Sequence, residues 1–268
     1  MKGKIIKLLY LSLAVVFLAS GCGTKKADDK ALEQIKAKGY FVLGLDDQFP
    51  PMGFRGEGNN EIVGFDIDLA KEVAKKLGVK VEFKPVAWDG IIPSLNKGDI
   101  DVIWNGMTIT EERKKNIEFS KPYLNNRQVV MVTADSAITN LDMLKGKIVG
   151  LQLGSSSETA LNGKPDVAKN LKELKKYENN ALVLADLAAK RIDAVVIDEI
   201  VGRWSMAKKP GIYKVLGEDL GPELFGVGIR KTDLSFKEAF DKALDEVKKD
   251  GTGAAVSKKW FGEDILIK

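Results

Sequence analysis

The chain has 268 residues, and its 42 lysines and arginines nearly balance its 38 aspartates and glutamates, for a formal net charge of +4. Because these charges are spread along helical patterns, they form no basic patch of the kind that binds nucleic acid. One cysteine and no histidine exclude an internal disulfide and leave nucleophilic catalysis without its usual base. No metal or cofactor site is predicted.

Residues 1–21 have the pattern of a secretory signal. Three lysines precede an apolar run over 8–18 that is too short to span a bilayer, and small residues at 19–21 precede Cys22. The position of this lone cysteine resembles the lipobox of bacterial lipoproteins, whose cysteine is acylated. The alternative is an ordinary cleaved signal followed by a free cysteine.

Removal of residues 1–21 takes away three lysines and no acids, which leaves 39 basic and 38 acidic residues and a net charge of about +1. Residues 22–38 are predicted to form a lipid-anchored N-terminus and tether, with a helical pattern over 31–38. About 247 residues remain after the signal, enough for one large or two mid-sized α/β domains.

From Tyr40 to Trp104 the pattern alternates as β-α-β-α-β. Strands are predicted at residues 40–45, 79–83 and 100–104. The first connecting helix is predicted to have Asp66 as its N-cap and to stop at Gly78. Apolar residues along one face of this helix predict that it packs, as a crossover connection, against a parallel sheet.

The segment 99–113 turns abruptly from an apolar strand to Asn, Gly and Thr and then reaches Arg113. Ligands in open α/β sheets bind at the carboxyl ends of strands. A guanidinium beside hydroxyl groups at such a strand end suits a carboxylate, which it can bind through two parallel hydrogen bonds. The alternative is an N-capped surface helix over 110–115 with a solvated Arg113.

The alternation begins again after an apolar strand at 128–133, with strands at 147–151 and 192–197. Residues 190–196 echo residues 97–103, which indicates two lobes of similar build with a cleft between their strand ends. The predicted fold is therefore α/β, with an open sheet and flanking helices in each lobe and two hinge strands. The predicted bounds are 39–128 with 222–268 for the first lobe and 129–221 for the second.

Three further local signals follow. Ser155 with Glu158 matches a capping box, whose free N–H groups at the helix start favour an anion, although an ordinary capped helix is the alternative. A turn at 221–222 separates strands predicted at 212–216 and 224–230, and Ser235 with Glu238 matches a second capping box. Arg113 and the helix start at 155–156 could hold one carboxylate while Asp198 holds an ammonium group, and an α-amino acid carries both groups.

From Gly44 to about Gly262 the sequence resembles the polar amino-acid-binding proteins of bacterial ABC importers, the extracellular solute-binding family 3, which have the two-lobed type II periplasmic-binding-protein fold. The segments that carry the resemblance are Gly64–Ala70, Asp89–Leu95, Thr108–Arg113, Gly154–Ser156, Asp198–Glu199 and Gly226–Lys231. The resemblance implies that Arg113 holds the ligand carboxylate with help from Thr108 and Ser156. It also implies that Asp198 and the backbone near Gly106 hold the ammonium group.

The same resemblance implies that Phe49 and Trp88 sandwich the ligand and that Asp46 lies towards the ligand side chain. Asn105 and Gly106 stand where some relatives have two serines, so ligand specificity does not carry over. A basic amino acid and a glutamine- or cystine-like one both remain open.

The resemblance implies a monomeric extracytoplasmic lipoprotein, held at the cell membrane by Cys22, that delivers a polar L-amino acid to the permease subunits of an ABC importer. One alternative is an enzyme on the same scaffold that resembles cyclohexadienyl dehydratase, with Asp46, Asp47 or Asp198 as acid or base. Another is a ligand-sensing ectodomain that acts through a separate signalling partner.

Overall fold

The structure is a computed structural model that describes residues 29–58 and 60–268. The predicted signal at 1–21 and the predicted lipidation site Cys22 lie outside the described residues. The helices are α1 (Ala31–Lys38), α2 (Phe65–Leu77), α3 (Ile91–Lys97), α4 (Glu111–Lys114), α5 (Ser156–Asn162), α6 (Pro165–Ala168), α7 (Asn180–Ala188), α8 (Glu199–Lys208), α9 (Leu234–Lys249) and α10 (Thr252–Phe261). The strands are β1 (Tyr40–Leu45), β2 (Gln48–Phe49), β3 (Gly53–Arg55), β4 (Ile62–Val63), β5 (Lys80–Pro85), β6 (Val102–Ile103), β7 (Glu118–Phe119), β8 (Leu124–Thr133), β9 (Ile148–Gln152), β10 (Glu173–Tyr177), β11 (Ala194–Asp198), β12 (Tyr213–Phe225) and β13 (Gly228–Ile229).

The first lobe is built on a five-stranded sheet in the order β5-β1-β6-β13-β7. Strands β5, β1 and β6 are parallel, as the β-α-β-α-β pattern predicts, and β13 runs antiparallel between β6 and β7. Helix α2 buries the apolar face that includes Leu69 and Val73, and it ends at Gly78, whose φ of +66° closes the last turn. Helix α9 packs against α2 and α1, so the end of the chain returns to this lobe.

The second lobe is built on a sheet in the order β10-β9-β11-β8-β12. The long strands β8 and β12 pair antiparallel and connect the two lobes. Where they reach the first lobe, Phe225 bridges Thr108 and Leu124 bridges Leu266. The predicted α/β fold with two lobes and two connecting strands is confirmed, whereas the exact lobe bounds stay a prediction. No helix among the described residues is long and apolar enough to cross a membrane.

Two predicted caps are wrong for one physical reason. Helix α2 begins at Phe65 with Gly64 in the cap position, and the Asp66 carboxylate instead accepts from the backbone N–H of Gly106. The Ser155 hydroxyl donates to the carbonyl of Gln152 rather than capping α5. In each case a partner outside the helix takes the side chain away from the local cap.

The second capping box is also wrong, because α9 begins at Leu234, one residue before Ser235. The Ser235 hydroxyl bonds to the carboxylate of Asp29 and accepts from the backbone N–H of Leu32. Together with buried Ile35, these contacts join α1 to the first lobe. Residues 31–38 of the predicted tether are therefore a packed helix.

The predicted turn at 221–222 is absent, since β12 continues through it as one strand with shifts of register near Asp219 and Pro222. β12 is an edge strand, where a proline without an N–H and a bulge are both tolerated. The predicted pair of strands at 212–216 and 224–230 is thus one long strand followed by the short β13.

Candidate functional site

A cavity lies between the lobes where β6, β9 and β11 end. Eight of the nine residues predicted for the site line this cavity, namely Phe49, Trp88, Asn105, Gly106, Thr108, Arg113, Ser156 and Asp198. Gln152 and Ser155 complete its lining. The cavity has a volume of about 10 Å³, which suffices for about one water molecule. A larger molecule can enter only if the lobes move apart or the lining rearranges.

Arg113 belongs to α4, which Thr110 caps by accepting from the Arg113 backbone N–H at 3.1 Å. The capped helix of the alternative interpretation is therefore present, but Arg113 is only 9% exposed rather than solvated. Its guanidinium donates to the carbonyls of Thr108 at 2.8 Å and Gly154 at 3.1 Å, one in each lobe. It also lies over the Trp88 ring, 5.7 Å from the centroid.

Burial lowers the pKa of Arg113, although an arginine stays charged at any ordinary pH. None of the ion pairs between described residues includes its guanidinium. A buried cation without an ion pair is costly unless an anion joins it. The site therefore offers a fixed positive charge to an anionic group.

Asp198 ends β11, lines the same cavity and is 5% exposed. Its carboxylate accepts from the side-chain amides of Asn126 at 2.7 Å and Gln128 at 2.8 Å. Burial, and secondly the charge of Glu223, raise the pKa of Asp198 to about 7. This carboxylate is suited to a cationic partner.

Glu223, which the sequence analysis missed, lies in the same network. Its Oε2 accepts from the Thr108 hydroxyl at 3.0 Å and from the amides of Asn126 and Gln128, each at 2.9 Å. The Thr108 and Ser156 hydroxyls are 3.0 Å apart across the two lobes. These contacts link both lobes beside the cavity.

Asp46 lies next to the cavity rather than in its lining. One carboxylate oxygen accepts from the Gln152 amide of the other lobe at 2.7 Å, and its backbone N–H donates to Asn105. Burial raises the pKa of Asp46. With Asp47 and Glu178 it lines a neighbouring cavity of about 180 Å³. The three carboxyl groups make this side of the cleft acidic.

Gly106 is held in place by a buried carboxyl. The Asp66 Oδ2 accepts from the Gly106 N–H at 2.7 Å and from the Tyr123 hydroxyl at 3.0 Å. Gly106 has a φ of +58°, and a Cβ there would lie 3.0 Å from Phe49. Complete burial raises the pKa of Asp66 to about 7. Asp66 thus fixes the backbone of one cavity wall.

The sequence analysis missed four residues in or beside the cavity, namely Gln152, Gln128, Asn126 and Glu223. The first two carried a sequence signal and the last two did not. Gln152 ends β9, so the strand-end rule that selected Asn105 applies to it equally. Gln128 is a polar residue in an apolar run, and it is fully buried. Asn126 and Glu223 face each other only because β8 and β12 pair in this register, which no local pattern reveals.

Two open α/β sheets with a polar cleft between their strand ends define the class of two-lobed type II periplasmic-binding proteins. The chain matches the model of the bacterial extracellular solute-binding proteins, family 3, over residues 41–263 and belongs to that family.

Similar proteins cover nearly the whole chain. It is 34% identical over 260 residues to the L-cystine-binding protein TcyJ of Escherichia coli (strain K12), covering 95% of each chain. It is 33% identical over 273 residues to the glutamine-binding protein GlnH of Bacillus subtilis (strain 168), covering 97% of this chain and 98% of the relative. An ancestral arginine-binding protein bound to glutamine is similar in structure, with 47% identity, a TM-score of 0.78 and coverage of 84% of this chain and 99% of the other. All three are named as binding proteins.

Proposed function

We propose that this protein captures a polar L-amino acid between its lobes and delivers it to the permease of an ABC importer. Buried Arg113, which contacts both lobes yet has no carboxylate partner among the described residues, is the observation that carries the proposal. The ligand carboxylate pairs with it beside Thr108 and Ser156, while the ammonium group pairs with Asp198. The named relatives bind cystine, glutamine or arginine, all α-amino acids.

The ligand side chain points towards Asp46 in this proposal. The carboxyl groups of Asp46, Asp47 and Glu178 favour a cationic side chain. The amides of Gln152 and Asn105 favour a neutral polar one such as glutamine. Basic amino acids and the glutamine- or cystine-like ones therefore both belong in the test.

A thermal-shift screen of the twenty amino acids with cystine and ornithine tests the class of ligand. A ligand at 100 times its Kd stabilises the native state by about 2.7 kcal/mol, which raises the melting temperature measurably. We expect a shift with at least one polar amino acid. If no member of the panel shifts the melting temperature, the proposed function is wrong.

The first prediction tests the assignment of the carboxylate. Arg113→Ala leaves a desolvated ligand anion without its main partner, and losses of this kind are about 2–5 kcal/mol, or roughly 30-fold to several-thousand-fold in Kd. Calorimetric titration with the amino acid found in the screen measures the loss. Arg203→Ala is the matched control, because Arg203 lies on α8, is 63% exposed and pairs only with Glu199 in the described part of the chain. Near-native affinity in a folded Arg113→Ala protein would remove Arg113 from the site.

One observation favours an enzymatic alternative: a carboxyl group with a pKa of about 7, such as that of Asp198, can exchange protons at neutral pH. Incubation with prephenate or arogenate, followed by detection of an aromatic product, tests this alternative. Product formed by wild type and lost in Asp198→Asn would establish it.

A further inference from the structure

Two carboxylates lie on either side of β8 in the second lobe. β8 lies between β11 and β12 in the sheet, and the register places Gln128 opposite Asp198 and Asn126 opposite Glu223. Each of the two amides donates to both carboxylates, at 2.7–2.9 Å. The two acidic side chains therefore converge on the same two amides from the strands on either side of β8.

Such convergence brings two like charges close together. Carboxylate oxygens that share the same two nitrogen donors lie within the range of about 4–6 Å over which one charge opposes ionisation of the other. The charge of Glu223 therefore opposes ionisation of Asp198, so Asp198 retains a proton that an isolated carboxylate would release. Burial and the charge of Glu223 raise the pKa of Asp198, whereas the charge of Arg113 lowers it. The net result is a raised pKa.

Neither Asp198 nor Glu223 forms an ion pair with another described residue, and the charge of Arg113 offsets only part of the rise in the pKa of Asp198. The Arg113 guanidinium donates to two carbonyls. Lys114 and Glu223 both line a large neighbouring cavity of about 770 Å³. The buried Oδ1 of Asn126 adds an acceptor without a partner in the described part of the chain. Acceptors grouped in this way fit an ammonium group, which has three N–H donors.

We propose that Glu223 is a second carboxylate of the ammonium site, and that a ligand ammonium group, held between Asp198 and Glu223, displaces a proton from Asp198 into the solvent. This inference rests on the proposed function, because it requires an α-amino acid as ligand. Glu223 then makes amino-acid capture dependent on pH, although neither end of the ligand titrates near neutrality.

Calorimetric titration in several buffers of different ionisation enthalpy measures the displaced proton directly. The probes are L-arginine and L-glutamine, neither of which titrates between pH 6 and 8. We expect the observed enthalpy to change with the buffer at pH 7 and to indicate release of about half a proton, since a group with a pKa near 7 is then about half protonated. Affinity should be about tenfold weaker at pH 6 than at pH 8.

The variant Glu223→Gln removes one charge of the pair, so it should release less proton and depend less on pH than wild type. Glu238→Gln on α9 is the matched control, because it removes the same charge at an exposed position. Binding of either probe by wild type without proton release overturns the inference and leaves the proposed function intact. Equal proton release by Glu223→Gln and wild type overturns the role of Glu223. If the amino-acid screen and both probes show no binding, the proposed function falls and this inference falls with it.

Discussion

Asp66 shows how one buried carboxyl group can shape both the stability of the molecule and its cleft. The side chain is fully buried, and its Oδ2 accepts from the Gly106 N–H and the Tyr123 hydroxyl. Desolvation disfavours its charged form more than these two donors favour it, which raises its pKa from the ordinary 3.8 to about 7. At the same pH, Asp66 is therefore protonated to a greater extent in the folded state than in the unfolded state.

The sign of the resulting pH dependence is definite. Between about pH 4 and pH 7 the folded state binds more protons at Asp66 than the unfolded state, so the free energy of unfolding decreases as pH rises. Asp198 contributes in the same direction. Asp66→Asn has no proton to lose, and we expect its stability curve to be flatter than that of wild type by about 1 kcal/mol per pH unit.

Urea unfolding of the ligand-free protein at pH 5, 6 and 7 measures this difference. Asp68→Asn is the neighbouring control, since Asp68 faces solvent-side partners on α10 rather than the cleft. Parallel curves for wild type and Asp66→Asn would show that Asp66 titrates alike in the folded and unfolded states.

At the scale of elements, a second contact between the lobes lies away from the ligand cavity. Trp204 of α8 in the second lobe packs against Phe54 of β3 and Trp260 of α10 in the first, with ring centroids 6.0 Å and 6.2 Å away. Phe54 and Trp260 are themselves 5.9 Å apart. We call these three side chains the aromatic latch. Because its members come from both lobes, separation of the lobes must break it.

We expect Trp204→Ala to weaken amino-acid binding without removing any ligand contact. Two aromatic pairs contribute about 1–3 kcal/mol beyond their buried area, so loss of the latch should raise the Kd roughly 5- to 150-fold by lowering the population of closed molecules. Calorimetry measures the Kd, and small-angle scattering measures the opening. Trp204→Phe keeps an aromatic ring, so its Kd should lie between those of wild type and Trp204→Ala. Unchanged affinity in Trp204→Ala would mean that the latch does not bias closure.

For the whole molecule, the contacts across the cleft predict closure around the ligand. Arg113 with Gly154, Thr108 with Ser156, and Asp46 with Gln152 all join the lobes directly. Ligand contacts divided between the lobes are satisfied together only in a closed form, so the ligand should shift the population towards closure. We expect the radius of gyration from small-angle scattering to decrease when the amino acid found in the screen is added. A bound ligand that leaves the radius unchanged would contradict hinge closure.

A substitution at Cys22 tests whether the protein is anchored to the membrane. A lone Cys22 directly after small residues predicts a lipid anchor, so Cys22→Ala should release the processed protein from membranes. Cell fractionation measures the distribution, and Ser20→Ala, which keeps the cysteine, is the control. Complete retention of a normally processed Cys22→Ala protein in the membrane fraction would contradict the anchor.

Much of the fold and site can be predicted because local chemistry determines it. Apolar runs specify the strands, and a change from apolar to polar residues marks the strand ends at Asn105 and Asp198, where parallel sheets place their ligands. Arg113 is recognisable for the same reason. These signals depend only on residues adjacent in the chain, and the structure brings their side chains together.

The tertiary structure decided those features that depend on contacts between residues far apart in the sequence. Asp66 matches a local cap, yet the backbone N–H of Gly106, 40 residues further along the chain, donates to its carboxylate, because a buried polar group is stabilised by whichever partner folding leaves within reach. Glu223 carries no local signal at all. It belongs to the site only because β12 continues as a strand and pairs with β8, which places its carboxylate beside Asp198 across the sheet.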